Sequence, residues 1–200
     1  VMQKNKKEII YLSVIELIKN KRDIHSLKIA DIALNAGIGK GTVYQYFVSK
    51  EELLIETFLY GANAEIDSYM ELLKREDLKF KEKIKHILVM IIDLMQENMF
   101  YNDFTSRMEK LKSFNQLGEA YTQEFIKLRV RMLEIGRLLV ICGNSEDYFR
   151  LEQSDIKIAI GMNMLTTTTF SILSLRSEFN KEKRDEFICE IQNSFIKIFQ

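Results

Sequence analysis

Amide, hydroxyl and ammonium side chains are concentrated in one short stretch of this chain, KGTVYQYF at residues 40–47. On a helical wheel, with about 100° between successive residues, Val43 and Phe47 fall on one side and Gln45 on the other. A glutamine amide can form paired hydrogen bonds with the edge of an adenine. Hydroxyl groups beside it can reach phosphates. The face opposite Val43 and Phe47 therefore has side chains suited to reading DNA: Gly41, Thr42 and Gln45, flanked by Tyr44 and Tyr46.

A second short helix must precede this stretch and support it. Ile29, Ile32, Ala33 and Ala36 recur at helical spacing and predict one apolar helix face. The Gly-Ile-Gly segment at residues 37–39 can adopt the positive φ angles of a helix end and a tight turn. Two short helices joined by a glycine-containing turn form a helix-turn-helix, a motif that binds DNA. Two amphipathic helices of an ordinary helical domain would not expose tyrosines and a glycine in this way.

The stretch from Asp31 to Leu53, DIALNAGIGKGTVYQYFVSKEEL, resembles the DNA-binding domain of the tetracycline-repressor (TetR) family of bacterial regulators. The resemblance covers about the first quarter of the chain. It implies that residues 40–47 are the helix that reads DNA and that the next helix begins near Lys50. The residues that would contact DNA by this resemblance are Lys40, Gly41, Thr42, Tyr44, Gln45, Tyr46 and Lys50.

Two positions differ from the usual family pattern. Family members commonly carry Ser or Thr at the starts of both helices, whereas this chain has Lys28 and Gly39. Glycine is tolerated as an N-cap, and a lysine can replace a phosphate hydrogen bond with a charge. Lys28 is therefore added to the predicted DNA-binding residues, and Ser26 is an alternative cap for the first helix.

Charge is divided unevenly along the chain. Residues 1–50 contain nine Lys and Arg against four Asp and Glu, a net charge of +5, and residues 51–200 have a net charge of −5. Lys4, Lys6 and Lys7 are interpreted as a loose basic arm. A basic head on an acidic body is typical of a protein whose head alone binds nucleic acid.

The absence of proline and the presence of only eight glycines predict long, uninterrupted helices. We expect an all-α fold of about nine helices. A three-helix DNA-binding domain is predicted at residues 1–48, and a helical domain for effector binding and dimerisation at residues 49–200. Among the later helices, we expect one at Met99–Lys112, a turn at Gly143–Ser145, and a helix capped by Ser154.

Enzymatic, metal and membrane functions have no support in the sequence. The chain shows no nucleophile–base–acid pattern and no glycine-rich phosphate loop, so no catalytic residue, metal or cofactor is expected. Glu82 and His86 are one helical turn apart, but a carboxylate–histidine metal bundle requires more such pairs. Cys142 and Cys189 are expected to be buried free thiols. No segment has the 18 to 20 apolar residues of a membrane span, and a cytoplasmic protein is expected.

The second domain is rich in methionine and phenylalanine, which supply adaptable apolar packing. The family resemblance implies an effector pocket among its middle helices, and hence a repressor that releases its operator when an apolar small molecule binds. In the alternative, the helical body binds a protein partner. The four threonines at 166–169 could bond a ligand or their own helix carbonyls, and the second is favoured. The predicted pocket residues are Met95, Phe104, Met108, Tyr121, Phe125, Met162 and Thr166.

A homodimer is predicted from excess apolar surface. Residues 156–175 are apolar on all sides and must be buried on all sides. One subunit can cover only part of that surface, so we expect dimerisation through residues 156–175 and 181–199, with Ile191 inside the interface. Symmetric heads suit a palindromic operator, with recognition helices about 34 Å apart or a multiple of that distance.

Overall fold

The computed structural model describes residues 5–20, 26–97, 118–149, 152–169, 171 and 181–200. These residues are helical with short connections, and no strand occurs among them, so the predicted all-α fold is confirmed. The helix predicted at Met99–Lys112 lies outside the described residues. The helices are α1 Lys6–Lys19, α2 Ile29–Asn35, α3 Lys40–Tyr46, α4 Lys50–Leu73, α5 Phe80–Glu97, α6 Gly118–Ser145, α7 Asp155–Asn163 with a π-helix at Met164–Thr168, and α8 Lys181–Phe199.

The chain divides into two compact units. The first unit contains residues 1–64 and 97–118, and the second contains residues 65–96 and 119–200. Helix α4 contributes residues to both units, since the division falls after Ala64. The predicted domain boundary after residue 48 stays a prediction.

In the first unit, α1 covers the α2–α3 pair. The Ser13 hydroxyl donates a buried hydrogen bond to the Ile32 carbonyl at 3.0 Å. The Asn35 amide donates to the Glu16 carboxylate at 3.1 Å. These bonds fix α2 against α1 around a shared apolar core, whose buried side chains are Ile10, Val14, Leu17, Ile18, Leu27, Ile29, Ile32, Ala33, Val43, Phe47, Leu53 and Leu54.

Two hydrogen bonds cap the start of helix α4. The Glu52 N–H donates to Ser49 Oγ at 3.1 Å, and the Glu52 carboxylate accepts a hydrogen bond from the Val48 N–H. Two backbone donors that lack partners within the helix are thereby satisfied. These two bonds fix the point at which the chain turns from α3 into α4.

The helices of the second unit approach closely where glycine replaces a side chain. A Cβ built at Gly161 of α7 would lie 2.7 Å from Phe199 Cζ and 3.1 Å from Phe195 Cε2. A Cβ at Gly136 of α6 would lie 2.7 Å from Met162 Cγ. Real Cβ atoms do not approach other atoms so closely, so these glycines allow α7 to pack against α6 and α8.

The expected turn at Gly143–Ser145 is wrong. Helix α6 continues through Ser145, and the chain turns at Asp147, which has a φ of 61°. Gly143 serves a different purpose, because a Cβ there would lie 2.3 Å from Phe149 Cε2. This glycine makes room for a buried ring that folds back from the following loop.

The helix predicted to follow Ser154 is confirmed for its described part. Ser154 Oγ accepts from the Lys157 N–H at 3.3 Å. The Thr166 hydroxyl donates to the Met162 carbonyl at 3.0 Å, and the Thr169 hydroxyl to the Leu165 carbonyl at 2.6 Å. The favoured interpretation of the threonines is therefore confirmed for these two residues.

The predicted position of Ile191 in a dimer interface is wrong. Ile191 is only 5% exposed within a single chain, and Phe195 and Phe199 on the same face are 0% and 2% exposed. That face of α8 packs inside its own subunit, partly against Gly161. On α7, by contrast, Ile156 and Ile160 are open to solvent in the single chain.

Both cysteines are free thiols, as expected, but the expected burial is wrong for both. Cys142 is half-buried and Cys189 is exposed. Burial raises the pKa of the Cys142 thiol, although the nearby Lys83 ammonium opposes this shift. Within the described segments, no helix is long and apolar enough to cross a membrane, and no cluster of three metal-binding side chains occurs.

Candidate nucleic-acid interface

The turn between α2 and α3 depends on one glycine. Gly37 has a φ of +65°, which L-residues with a side chain rarely adopt. Its N–H donates to the Leu34 carbonyl at 3.1 Å, and the Ile38 N–H donates to the Ala33 carbonyl at 2.9 Å. These bonds satisfy the last carbonyls of α2 and reverse the chain. Gly39, in extended conformation, then caps the start of α3.

Helix α3 is anchored by its apolar side. Val43 is 0% exposed, and Phe47, the residue at which the helix ends, is 1% exposed. The Phe47 N–H still donates to the Val43 carbonyl at 3.1 Å. The burial predicted from the helical wheel is confirmed for both side chains.

The opposite side of α3 is open. Gly41 and Gln45 are exposed, and no atom lies within 4 Å of a Cβ built at Gly41. Tyr44 is 50% exposed, and the Lys40 ammonium lies 5.8 Å from the centre of its ring. Thr42 and Tyr46 are half-buried at the edges. Helix α3 thus presents a flat centre with an amide, bordered by hydroxyl groups and a cation.

The two other predicted DNA-binding lysines lie at helix starts. Lys28, rather than Ser26, is the N-cap residue of α2, and its N–H donates to the Asp31 carboxylate at 3.3 Å. The Lys28 side chain is exposed, whereas Lys50, the first residue of α4, is half-buried. Contact of these lysines with DNA stays a prediction.

Lys7 is not part of a loose basic arm. Its ammonium pairs with Glu56 Oε2 of α4 at 2.8 Å. Tyr11 donates to the same oxygen. Sequence reasoning did not single out Glu56 or Tyr11, because the two residues are 45 positions apart and no local pattern joins them.

Comparison with known proteins finds relatives of the helix-turn-helix region and of the longer chain. Residues 18–57 match the family described as bacterial regulatory proteins, tetR family. A curated Staphylococcus aureus protein, the HTH-type transcriptional regulator SAR0097, is 24% identical over 161 residues, or 76% of this chain and 84% of that protein. The helix-turn-helix region of this chain is therefore similar to that of TetR-family transcriptional regulators.

Solved structures share the fold of this chain over nearly its whole length. The FadR regulator of Bacillus subtilis, solved in complex with stearoyl-CoA, aligns with a TM-score of 0.65 and 19% identity, over 96% of each chain. A transcriptional regulator from Cytophaga hutchinsonii aligns with a TM-score of 0.70 and 17% identity, over 96% of this chain and 97% of that one. The second unit therefore has the fold of these regulators as well.

The residues predicted to line an effector pocket lie only partly among the described residues. Phe104 and Met108 lie outside the described residues. Met95, Tyr121, Phe125 and Thr166 are half-buried, and Met162 is 6% exposed. Because Met162 fills the space left by Gly136, its burial is explained by helix packing without a ligand.

Two cavities in the second unit adjoin the connection between α6 and α7. One has a volume of about 590 Å³ and is bordered by Tyr148, Phe149, Lys157 and Phe199, among others. The other, of about 480 Å³, is bordered by Arg137, Val140, Ile141 and Asn144, among others. Neither cavity includes any of the predicted pocket residues, so the pocket assignment stays a prediction.

Proposed function

We propose that this regulator binds a palindromic operator as a homodimer, with one α3 of each subunit in the major groove. The observation that carries this proposal is the two-sided character of α3. Val43 and Phe47 anchor one side in the core, while the other side exposes Gln45 beside a bare Gly41. A glycine allows the helix backbone to approach base edges closely. An exposed amide between tyrosines is suited to bind an adenine edge while phosphates are held on either side.

Each predicted residue has a distinct role in this complex. Gln45 would read a base, and Gly41 would permit close approach. The remaining residues would bind phosphates, through hydroxyl groups on Thr42, Tyr44 and Tyr46 and through charge on Lys28, Lys40 and Lys50.

The base-reading role of Gln45 can be tested with a duplex that the wild-type protein selects from a random pool. We expect Gln45→Ala to lose about 1 to 3 kcal/mol of binding free energy at one operator position and to keep its affinity for random DNA. Asn193→Ala, which removes an exposed amide from α8, is the matched control. Equal losses of Gln45→Ala on operator and random DNA would remove Gln45 from the base-reading residues.

We further propose that an apolar small molecule bound in the second unit releases the operator, so that the protein acts as a repressor in the cytoplasm. The support is the methionine- and phenylalanine-rich composition and the fold shared with the stearoyl-CoA complex of Bacillus subtilis FadR. Helix α4 offers a covalent route for the signal, since it has residues in both units.

Long-chain acyl-CoA is the first ligand class to test. We expect stearoyl-CoA to raise the thermal midpoint and to release the operator, while coenzyme A alone does neither. A ligand at a hundred times its Kd stabilises the folded state by about 2.7 kcal/mol. If neither acyl-CoA nor other apolar compounds shift the midpoint and a protein co-purifies with the regulator, the function of the second unit is to bind that protein partner.

A further inference from the structure

One carboxylate oxygen in the first unit holds two side chains of α1. Glu56 Oε2 accepts a hydrogen bond from Lys7 Nζ at 2.8 Å and another from the Tyr11 hydroxyl at 2.5 Å. Lys7 and Tyr11 are four residues apart and therefore share one face of their helix. The Glu56 side chain is only 20% exposed, so water competes weakly for these bonds.

Both groups held by Glu56 also contact Phe47. The Lys7 ammonium lies 5.1 Å from the centre of the Phe47 ring, within the range of a cation–π interaction. The Tyr11 ring lies 5.8 Å from the same ring at an interplanar angle of 60°, an edge-to-face arrangement. The Phe47 ring is thus held from two sides by groups that Glu56 fixes.

Phe47 determines where α3 ends and which way it points. It is the C-cap residue of α3 and, with Val43, the buried anchor of that helix. A helix of seven residues has little stability of its own, so its orientation is set by its packing contacts. Binding side chains must be held to within about 0.5 Å and 10 to 20° of their productive geometry. A change at Phe47 therefore reaches the residues of α3 that face outward.

We infer that Glu56 is a positioning residue for DNA recognition, which orients α3 through Lys7, Tyr11 and the Phe47 ring. The inference rests on the proposed binding of DNA by α3. A carboxylate is suited to this task because charge-assisted hydrogen bonds are directional, whereas apolar burial alone is not. Glu56→Gln keeps the size of the side chain but places an amide N–H₂ where one acceptor oxygen was.

A neighbouring hydrogen bond provides a matched control. The Tyr60 hydroxyl of α4 donates to Glu8 Oε1 of α1 at 3.0 Å, which joins the same two helices. Burial, with the Glu8 hydrogen bond and charge, raises the pKa of the Tyr60 phenol, so this donor stays protonated. Tyr60→Phe deletes this bond and keeps the ring, as Tyr11→Phe does for the bond to Glu56.

The experiment compares two affinities for each variant at one salt concentration, for the duplex selected by the wild-type protein and for a scrambled duplex. A loss of folded protein lowers both apparent affinities by the same factor, so their ratio isolates the orientation of α3. We expect the ratio to fall about three- to tenfold in Glu56→Gln and Tyr11→Phe, the effect of one lost hydrogen bond. In Tyr60→Phe the ratio should equal that of the wild type.

Three results would overturn the inference. The first is a wild-type ratio in both Glu56→Gln and Tyr11→Phe, and if one of these variants does not fold, the other decides. The second is an equal fall of the ratio in Tyr60→Phe, which would assign the effect to the general integrity of the α1–α4 contact. The third is a wild-type protein that selects no duplex, which would also remove the proposed binding of DNA. Because only this last result affects the wild type, failure of the proposed function is distinguishable from failure of the positioning role.

Discussion

Gly41 is a residue whose lack of a side chain is costly for folding and useful for binding. It lies in α3, where glycine is less favourable than alanine, and a Cβ there would meet no atom within 4 Å. We therefore expect Gly41→Ala to raise the free energy of unfolding by about 0.5 to 1 kcal/mol. The same methyl group would stand between α3 and the base edges, and the affinity for the selected duplex should fall by about 1 to 3 kcal/mol. Urea unfolding and operator titration would measure the two effects.

A rise in stability without a loss of operator affinity would contradict this assignment of Gly41. In that case the outer face of α3 would not approach DNA closely. A fall in both the free energy of unfolding and the operator affinity would indicate that the added methyl group disturbs the fold.

Arg137 and Asp155 form an exposed pair that joins α6 to the start of α7. Arg137 Nε and Nη2 donate to the two carboxylate oxygens at 2.9 and 2.6 Å, and these hydrogen bonds lower the pKa of Asp155. Because the folded-state pKa lies below the unfolded value, the pair stabilises the protein above the unfolded pKa. This stabilisation is lost as the pH falls through the folded-state pKa.

We expect Arg137→Gln to raise the pKa of Asp155 toward its ordinary value, as measured by the NMR titration of its carboxyl carbon. The stability difference from the wild type should be present at neutral pH and vanish in acid. Arg75→Gln is the control, because Arg75 lowers the pKa of Asp77 in the same way but joins residues only two positions apart. A loss of stability in Arg75→Gln as large as that in Arg137→Gln would show that the latter pair does not hold α6 to α7.

Among the helices, the close approach of α7 to α8 depends on Gly161. A Cβ at Gly161 would overlap Phe199 and press on Phe195, and these rings are 2% and 0% exposed. We expect Gly161→Ala to lower the free energy of unfolding by about 1 to 3 kcal/mol, despite the higher helix propensity of alanine. Gly41→Ala is the matched control, with the same substitution in open space. Equal denaturation midpoints for the two variants would show that α7 and α8 separate readily.

The sequence predicts the positions of helices more reliably than the structural role of each glycine, which can end a helix or allow close packing within one. Apolar spacing located the helix-turn-helix and the anchors Val43 and Phe47, because those patterns depend on neighbouring residues alone. The sequence predicts a turn at Gly143, yet this residue lies inside α6 and makes room for Phe149. A glycine that ends a helix and one that admits a ring look alike until the approaching ring is known. The contact between Tyr11 and Glu56 is likewise not predictable from the sequence, because the two residues are 45 positions apart and meet only in the folded chain.

At the scale of the whole molecule, an apolar stripe indicates burial but not the chain that covers it. The sequence predicts that the α8 stripe with Ile191 contacts a partner subunit, but the stripe packs inside its own subunit. On α7, by contrast, the equally apolar Ile156 and Ile160 are exposed. Only the three-dimensional structure distinguishes a stripe buried within the subunit from one left exposed. A test of the dimer interface should therefore substitute residues of α7 instead of Ile191.

We therefore expect the dimer to depend on Ile156 and Ile160. They are 75% and 55% exposed in the single chain and one turn apart on α7, so they form one apolar face. A glutamate at an exposed position leaves the subunit folded, whereas in a symmetric interface it would bury an unpaired charge in both copies. Ile156→Glu should sediment as a folded monomer and bind the operator weakly, since each half-site is then held by one head alone.

Two control variants separate loss of the dimer from loss of folding. Leu34→Glu, at an 82% exposed position of α2, should remain dimeric, whereas Ile191→Glu should unfold. If Ile156→Glu stays dimeric while Ile126→Glu on α6 becomes monomeric, the subunits meet through α6 and the predicted interface is wrong.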